Sequence, residues 1–316
     1  MKVLVTGGLG FIGSHLVHRL AAEGHEVVSV DNQSILDQVL QSSRRVWVGD
    51  AAVHHSIDLT DFESLETLCA KEQFEIVFHL GAKPGVRESL DNPFVYAHSN
   101  YIGTLNVFEA AKRAAVSHVV AASSSSVYGR GEVGPFTEEQ VTDEPISIYA
   151  STKRAGELLA YTYCDLFDMH ITNVRFFTVY GPFGRPDMAP WIFTEKISNG
   201  EPIKVFDHGR HQRDFTYIDD IIDGVVGAAA HPQGFNILNL GYGQPVALMN
   251  FIAAIETVLG REATIEFVDA QPGDVNLTYA DTNKAKQLFD YHPKTDITSG
   301  MREFIGWYQD YVREVS

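Results

Sequence analysis

Short apolar runs alternate with stretches of helical spacing along the first half of this 316-residue chain. Lys2-Val3-Leu4-Val5-Thr6 is β-rich, and Ser14 to Leu20 then has helical spacing and ends near Gly24. Glu26-Val27-Val28-Ser29-Val30 reads as a second strand, and Val46-Trp47-Val48 with the stretch from His54 to Leu59 brackets a third. A helix from about Phe62 to Lys71 leads to the apolar run Glu75-Ile76-Val77-Phe78-His79-Leu80, a fourth strand. Tyr101 to Ala115 is a long helix with Leu105, Phe108 and Ala111 at its apolar positions, and His118 to Ala122 is a fifth strand. A further helix runs on from Tyr149, and Ile171 to Phe176 is a sixth strand. This alternation predicts an α/β fold built on a parallel, doubly wound sheet.

After Tyr180 the texture changes. Gly181, Pro182, Gly184, Pro186 and Pro190 break regular structure, and a helix follows from about Trp191 to Asn199. Pro202 to Phe206 is a short strand and Asp207 to Arg213 a basic loop. Helices over about 218–230, 248–259 and 298–315, with strands at Asn236 to Leu240 and Thr264 to Val268, complete the chain. We read a first domain over 1–179, rejoined by 214–240, and a smaller α/β substrate domain over 180–213 and 241–316. No internal repeat or low-complexity linker separates them, so the two domains should be interleaved.

The first turn carries chemistry. Gly7-Gly8-Leu9-Gly10-Phe11-Ile12-Gly13 stands between strand and helix, where glycines let the backbone approach a pyrophosphate and free N–H groups face it. Asp31 ends the second strand, about 20 residues on, placed to accept from both ribose hydroxyls of NAD. This is the Rossmann dinucleotide-binding pattern, and an acid there repels a 2′-phosphate, so NAD is favoured over NADP. Arg44 and Arg45 are the residues that would reach a 2′-phosphate instead. Loops leaving the carboxyl ends of parallel strands bind ligands in this architecture, so Lys83 is a candidate for the cofactor phosphates and Arg87 for the substrate.

Tyr149 and Lys153 lie four apart on one helical face, and Ser123-Ser124-Ser125-Ser126 precedes them. A free tyrosine, with a pKa of about 10, is a poor base at neutral pH, and a neighbouring cation favours its phenolate. A serine hydroxyl on the same substrate oxygen would complete a proton-transfer site.

The glycine spacing, Asp31, the serine run and the Tyr149/Lys153 pair together resemble the extended short-chain dehydrogenase/reductase family of nucleotide-sugar enzymes. The stretch Arg175-Phe176-Phe177-Thr178-Val179-Tyr180-Gly181-Pro182-Phe183-Gly184-Arg185-Pro186-Asp187-Met188-Ala189, with Arg213 to Asp220, resembles UDP-glucuronate 4-epimerases in particular. The resemblance implies Tyr149, Lys153 and Ser124 as catalytic residues. It implies a cofactor set of Gly7, Gly10, Phe11, Ile12, Gly13, Asp31, Asn32, Asp58, Leu59, Leu80, Ala82, Lys83 and Asn100, joined by Tyr149 and Lys153. For the UDP-sugar it implies Ser125, Ser126 and Thr178 near the sugar, Arg87 or Arg185 as cationic partner, Val205 and Phe206 by the uracil with Lys204 beside them as a cation for the pyrophosphate, Arg213 on phosphate and Asp274 on the uridine ribose. Gln271 departs from the Arg that most relatives with a glucose or galactose substrate carry there. Family members often dimerise through the helix over 101–115 and the one after Tyr149, to which Tyr161, Tyr163 and Phe167 would contribute.

Three functions suit these residues: a 4-epimerase acting on UDP-glucuronate and UDP-galacturonate, a 4,6-dehydratase or UDP-glucuronate decarboxylase, or a cofactor-sensing protein without catalysis. Dehydratases place an Asp-Glu pair after the catalytic hydroxyl and decarboxylases usually a Glu, whereas this chain has Ser125-Ser126. A sensor typically loses the Tyr or the Lys, and both are present. The 4-epimerase is favoured.

Composition changes this picture in two places. The formal net charge of −17 argues against nucleic acid as a partner, yet a UDP-uronate is itself anionic. A local basic cluster is therefore required, and Arg185, Lys204, Arg210 and Arg213 supply one. Cys69 and Cys164 are far apart in apolar surroundings, which fits reduced thiols in the cytoplasm, and no apolar run is long enough for a membrane span. Val3-Leu4-Val5 running straight into the glycine loop leaves no leader pattern. His208 and His211 lack a carboxylate or thiol neighbour at metal-ligand spacing, so no metal is expected.

Overall fold

A computed structural model describes residues 1–33, 38–129, 134–269 and 277–315. In chain order its strands are β1 Lys2–Thr6, β2 Glu26–Val30, β3 Val53–His55, β4 Ile76–His79, β5 His118–Ser124, β6 Ile171–Phe176, β7 Thr178–Tyr180, β8 Ile203–Phe206, β9 Gln212–Arg213, β10 Phe215–Tyr217, β11 Phe235–Leu240, β12 Val246–Ala247, β13 Ile265–Val268 and β14 Leu277–Thr278. Its helices are α1 Phe11–Ala22, α2 Gln38–Val48, α3 Phe62–Glu72, α4 Glu88–Asp91, α5 Pro93–Tyr96, α6 Gly103–Arg113, α7 Ile148–Phe167, α8 Ala189–Asn199, α9 Ile218–Ala229, α10 Leu248–Leu259, α11 Asn283–Phe289 and α12 Ile297–Val315.

Among the described residues, a seven-stranded sheet runs in the order β11-β6-β5-β4-β1-β2-β3, every neighbouring pair parallel. The order reverses about β1 and β4, and the crevice beyond their carboxyl ends is where a doubly wound sheet binds ligands. Alternate residues of β1 feed opposite faces. Val3 and Val5 belong to one apolar cluster and Leu4 to the other, as a two-residue side-chain period requires. The Val3 face continues through Tyr180, Trp191 and Phe215 to Phe251 and Phe304, so one core joins the sheet to the second lobe.

That second lobe is framed by short pairings. β10 lies parallel to β7, β13 parallel to β8, and β9 sits between β12 and β14. β11 returns to the large sheet beside β6, from Phe235 opposite Ile171 to Leu240 opposite Phe176.

Two elements differ from the sequence reading. Val46-Trp47-Val48 closes α2 rather than opening a strand, and β3 begins at Val53. The helix expected from Tyr101 starts earlier. Pro93 begins α5, a π-helical turn spans Ala97–Ile102, and α6 follows without a break.

Candidate active site

The phosphate loop is built from close backbone approaches. Gly7 has φ +70°, and a Cβ there would stand 2.7 Å from the Gly81 nitrogen; one at Gly13 would stand 2.0 Å from the Gly7 oxygen. Only hydrogen fits at either position. Gly10 donates to Gly7 O at 2.9 Å and occupies the N-cap of α1 with no side-chain cap, so the N–H groups beside Phe11, Ile12 and Gly13 have no side chain covering them. An uncapped helix N-terminus reached through small residues suits an anion.

Asp31 follows β2 directly, its carboxylate accepting from Leu9 N at 3.2 Å and Gln33 N at 2.8 Å. Burial pushes its pKa up, while those two N–H groups and the Arg44 charge pull it down. Arg44, expected as a loop cation, is 1% exposed, and its Nη2 donates to Phe183 O at 2.6 Å. Asn32 donates to Asp58 at 2.8 Å. Leu59 lies against Gly81, and Leu80 and Ala82 flank that glycine at the end of β4.

Asn100, on the π-helical turn, ties the loop after β4 to α7. Its amide accepts from Lys83 N at 2.7 Å and donates to Lys83 O at 3.0 Å and Thr152 Oγ1 at 3.1 Å. The Lys83 ammonium pairs with Glu88 at 3.0 Å rather than pointing at the glycine loop.

Ser147 caps α7, accepting from Ala150 N at 3.0 Å, and so fixes the helix start two residues before Tyr149. The Ser124 hydroxyl neighbours the Tyr149 phenol and draws its pKa down, and it accepts from Ser126 N at 3.2 Å and Ser126 Oγ at 2.9 Å. Ser125 lies between them in the turn that follows β5. Lys153 differs from expectation. Its ammonium donates to Ala122 O at 3.0 Å and lies 6.0 Å from the Tyr149 ring centre. Burial pushes the phenol up, while Ser124 and the Arg185 charge draw it back. Burial also lowers the Lys153 ammonium to about 8.

The UDP-side candidates gather less tightly. Arg87 lies 5.8 Å over the Phe206 ring, linking the loop after β4 to β8, where Val205 is buried and Lys204 exposed. Thr178, half-buried on β7, bonds through its backbone to Asp214 O at 3.0 Å. Arg185 forks onto Asp187, with Nε to Oδ1 at 2.9 Å, and its Nη2 approaches Gly85. Arg213 donates to Gln212 O at 2.9 Å, and Arg210 is held by Asp207. His211 also approaches Asp207, at 3.9 Å, and His208 approaches Asp269 at 4.0 Å. Asp274 and Gln271 lie outside the described residues.

Two contributors were not singled out from sequence. The Tyr96 ring meets Tyr149 edge-on at 6.3 Å, its hydroxyl donating to Pro84 O at 2.7 Å. Glu157, two turns beyond Tyr149, is buried against Ser123 and Arg175. The helical spacing of Tyr149, Lys153 and Glu157 was the available signal for the second; Tyr96 lies in a segment without a strong pattern.

The arrangement can pass a proton between a phenol and a substrate oxygen beside a dinucleotide cradle. Comparison with known proteins agrees. Residues 3–241 match the model of the NAD dependent epimerase/dehydratase family. The UDP-glucuronate 4-epimerase of Thermodesulfobacterium geofontis (strain OPF15) is 40% identical over 316 residues, covering 98% of this chain and 96% of that one. The structure of UDP-glucuronic acid 4-epimerase from Bacillus cereus with UDP-glucuronic acid and NAD is 32% identical, with a TM-score of 0.91 and all of both chains covered. UDP-glucose 4-epimerase from Thermotoga maritima, solved with UDP-glucose, superposes at a TM-score of 0.92 with 27% identity over 99% of this chain and 100% of its own. A match of that extent, on a chain whose glycine cradle and Tyr149–Ser124 contact stand where the fold binds ligands, makes it a member of the NAD-dependent epimerase/dehydratase family.

Proposed function

We propose that the protein is an NAD-dependent 4-epimerase that interconverts UDP-glucuronate and UDP-galacturonate. One observation carries the choice among related chemistries. The hydroxyl of Ser124, which acts on the Tyr149 phenol, is followed by Ser125 and Ser126, and Ser126 closes back onto Ser124, so no carboxylate in this turn serves C5 or C6. That favours oxidation and reduction at one carbon over elimination or decarboxylation.

The glycine cradle fits a dinucleotide, since its approaches at Gly7 and Gly13 exclude even a methyl group. When bound, NAD takes up and returns the hydride at C4 of the sugar. In this reading Asp31 accepts from the adenosine ribose, with Asn32, Asp58 and Leu59 bordering the adenine. Lys83 and Asn100 shape the loop after Leu80 and Ala82. Tyr149 takes the O4 proton and later returns it, Ser124 bonds O4, and Lys153 holds the nicotinamide ribose. Arg185, whose charge acts on the Tyr149 phenol, is the best-supported cationic partner for a carboxylate, and leaving Asp187 would free it for one. Ser125 and Thr178 donate to the sugar, and Ser126 does so when its hydroxyl turns from Ser124. Arg87, Lys204, Val205, Phe206, Arg213 and Asp274 receive the UDP, chiefly from a lobe formed by 180–213 and 241–316.

We further infer a homodimer in the cytoplasm. Leu158, Tyr161, Leu166 and Phe167 on α7 are exposed, as are Phe94 and Tyr101 nearby. Tyr163 is not available to such a contact, because it packs on Phe108 and donates to Glu109 at 2.9 Å. Both cysteines are free, burial pushing Cys69 up to about 12, and no helix among the described residues is long and apolar enough to cross a membrane.

The deciding experiment incubates the protein with NAD and UDP-glucuronate and reads the products by NMR. UDP-galacturonate is the expected product. UDP-xylose would indicate a decarboxylase, and no turnover would point to another sugar or to a sensor.

A further inference from the structure

Tyr149, Lys153 and Glu157 form one stripe along α7 at four-residue spacing, and each meets β5 or the turn it enters. Tyr149 meets the Ser124 hydroxyl, Lys153 donates to Ala122 O at 3.0 Å, and Glu157 Oε1 accepts from Ser123 Oγ at 2.7 Å. Three consecutive residues of the strand are thus read by three consecutive turns of the helix. Glu157 is 1% exposed, far from ordinary for a carboxylate. Arg175 on β6, equally buried, holds it with Nε to Oε1 and Nη2 to Oε2, both at 2.8 Å, and Arg154 adds a contact to Oε2 at 3.1 Å. The Tyr128 ring lies 4.7 Å from the Arg175 guanidinium, and the Tyr128 hydroxyl donates to Asn239 on β11 at 2.7 Å. The carboxylate therefore has four donors from three elements, and its position is over-determined.

An apolar helix–strand contact tolerates sliding, because dispersion is non-directional. A buried carboxylate with a two-point guanidinium partner does not, since a shift of one ångström breaks bonds that cannot be replaced by water. We propose that Ser123 and Glu157 are positioning residues: the bond between them, anchored by Arg175, sets the height of α7 along β5 and so the contact between Tyr149 and Ser124. Neither touches substrate or cofactor in the reading above. Ser123 and Ser124 are neighbours with separate tasks, one hydroxyl locking the frame and the other facing the chemistry. The inference rests on Tyr149 and Ser124 acting together, as in the proposed function.

Glu157→Gln leaves Arg175 buried without its counter-charge and destabilises the whole fold, so Ser123 is the cleaner probe. Ser123→Ala removes the bond, and Ser123→Thr keeps the hydroxyl on a residue suited to a strand. For Ser123→Ala, kcat should fall roughly 10–100-fold, the scale of a misplaced reacting group, with KM for the UDP-sugar within about threefold. Ser123→Thr should restore most of kcat. A second readout needs no substrate. Ionisation of Tyr149, taken as the ultraviolet difference against Tyr149→Phe, reports a phenol surrounded by Ser124, Lys153, Arg185 and Tyr96. Loosening the Ser124 contact in Ser123→Ala should move that ionisation to higher pH. Unchanged kcat with unmoved ionisation in Ser123→Ala, or a loss of kcat that Ser123→Thr does not restore, would overturn the proposal. Absence of UDP-glucuronate turnover by the unmodified protein would sink the substrate assignment alone, because the ionisation is read without it.

Discussion

Tyr149 has to be a base in a place that disfavours its charge. Burial raises its pKa, and the compensating groups are one hydroxyl and the Arg185 guanidinium. An enzyme that holds its base protonated until the sugar and cofactor arrive avoids abstracting protons idly. Tyr149→Phe should keep UDP-sugar binding and lose roughly 10²–10⁴ in turnover, measured by single-turnover kinetics with binding checked by calorimetry. Near-normal turnover would return Tyr149 to the role of a packing residue. The hydroxyls answer a different need. Oxidation at C4 of a uronate makes a β-keto acid, which loses carbon dioxide when the C5–C6 bond stands perpendicular to the carbonyl plane. Neutral donors can hold the carboxylate in another orientation without supplying a proton to C5, each charge-assisted bond contributing about 1.5–3 kcal/mol. Ser126→Ala or Thr178→Ala should therefore divert part of the intermediate to a UDP-4-keto-pentose, with carbon dioxide release and NADH accumulation as the readouts. Activity lost without any decarboxylated product would remove this account. At this scale the sequence carried the Tyr149–Ser124 contact, because both belong to short motifs. It did not carry the direction of the Lys153 ammonium, which depends on Ala122, 31 residues away, or the fork of Arg185 onto Asp187, a local pairing that no hydropathy pattern marks.

At the scale of elements, periodicity was legible where apolar residues alone made the contacts. α10 and the strands of the large sheet's centre follow the pattern closely. α2 shows the failure. Its inward positions are Leu40, Arg44 and Val48, four apart, but the middle one is an arginine buried on the Phe183 carbonyl. A hydropathy reading loses the helical period there, and Val46-Trp47-Val48 then looks like a strand. Val46 in fact faces outward while Trp47 stacks on Phe183 at 4.5 Å. Buried histidines in three elements give the fold a pH dependence. Burial lowers His15 on α1 to about 4, His79 on β4 to about 3 and His118 on β5 to about 4. His79 bridges Thr6 and Thr104 at 2.9 Å each, and Lys153 adds to its depression. Unfolded histidines titrate near about 6.5, so between about 4 and that value the unfolded chain binds more protons. Stability is then full above about 6.5 and is lost as pH falls toward 4. The thermal midpoint should be clearly lower at about pH 5.5 than at about pH 7.5, by differential scanning calorimetry, and an equal or higher midpoint at the lower pH would contradict the assignment.

For the whole molecule, the net charge of −17 and the anionic ligand are reconciled only locally. Arg185 and Arg210 are each held by an aspartate, which keeps the cations in place without leaving them to the field of the chain. Association with a UDP-sugar should weaken as salt is added, since Arg210 is 72% exposed and an exposed cation is screened. The exposed apolar stripe of α7, with Leu158 at 53% and Leu166 at 64%, should be covered in solution. Sedimentation should give a dimer, and Leu158→Glu with Leu166→Glu should give a monomer; a monomeric unmodified protein would end the dimer reading.

The return of β11 to β6 governs how the chain is made. While the ribosome is still adding residues 177 to 234, β6 has only β5 beside it, and its other edge offers unpaired N–H and C=O groups to any passing strand. The sheet can acquire its last strand only after residue 240 has left the exit tunnel, long after the glycines of the nucleotide cradle have been synthesised. A nascent chain paused in that interval has all the residues of the ligand loop but an unfinished sheet. Its solubility in the cell then depends on the pace of translation and on chaperones that shield an open edge, not on the stability of the finished enzyme.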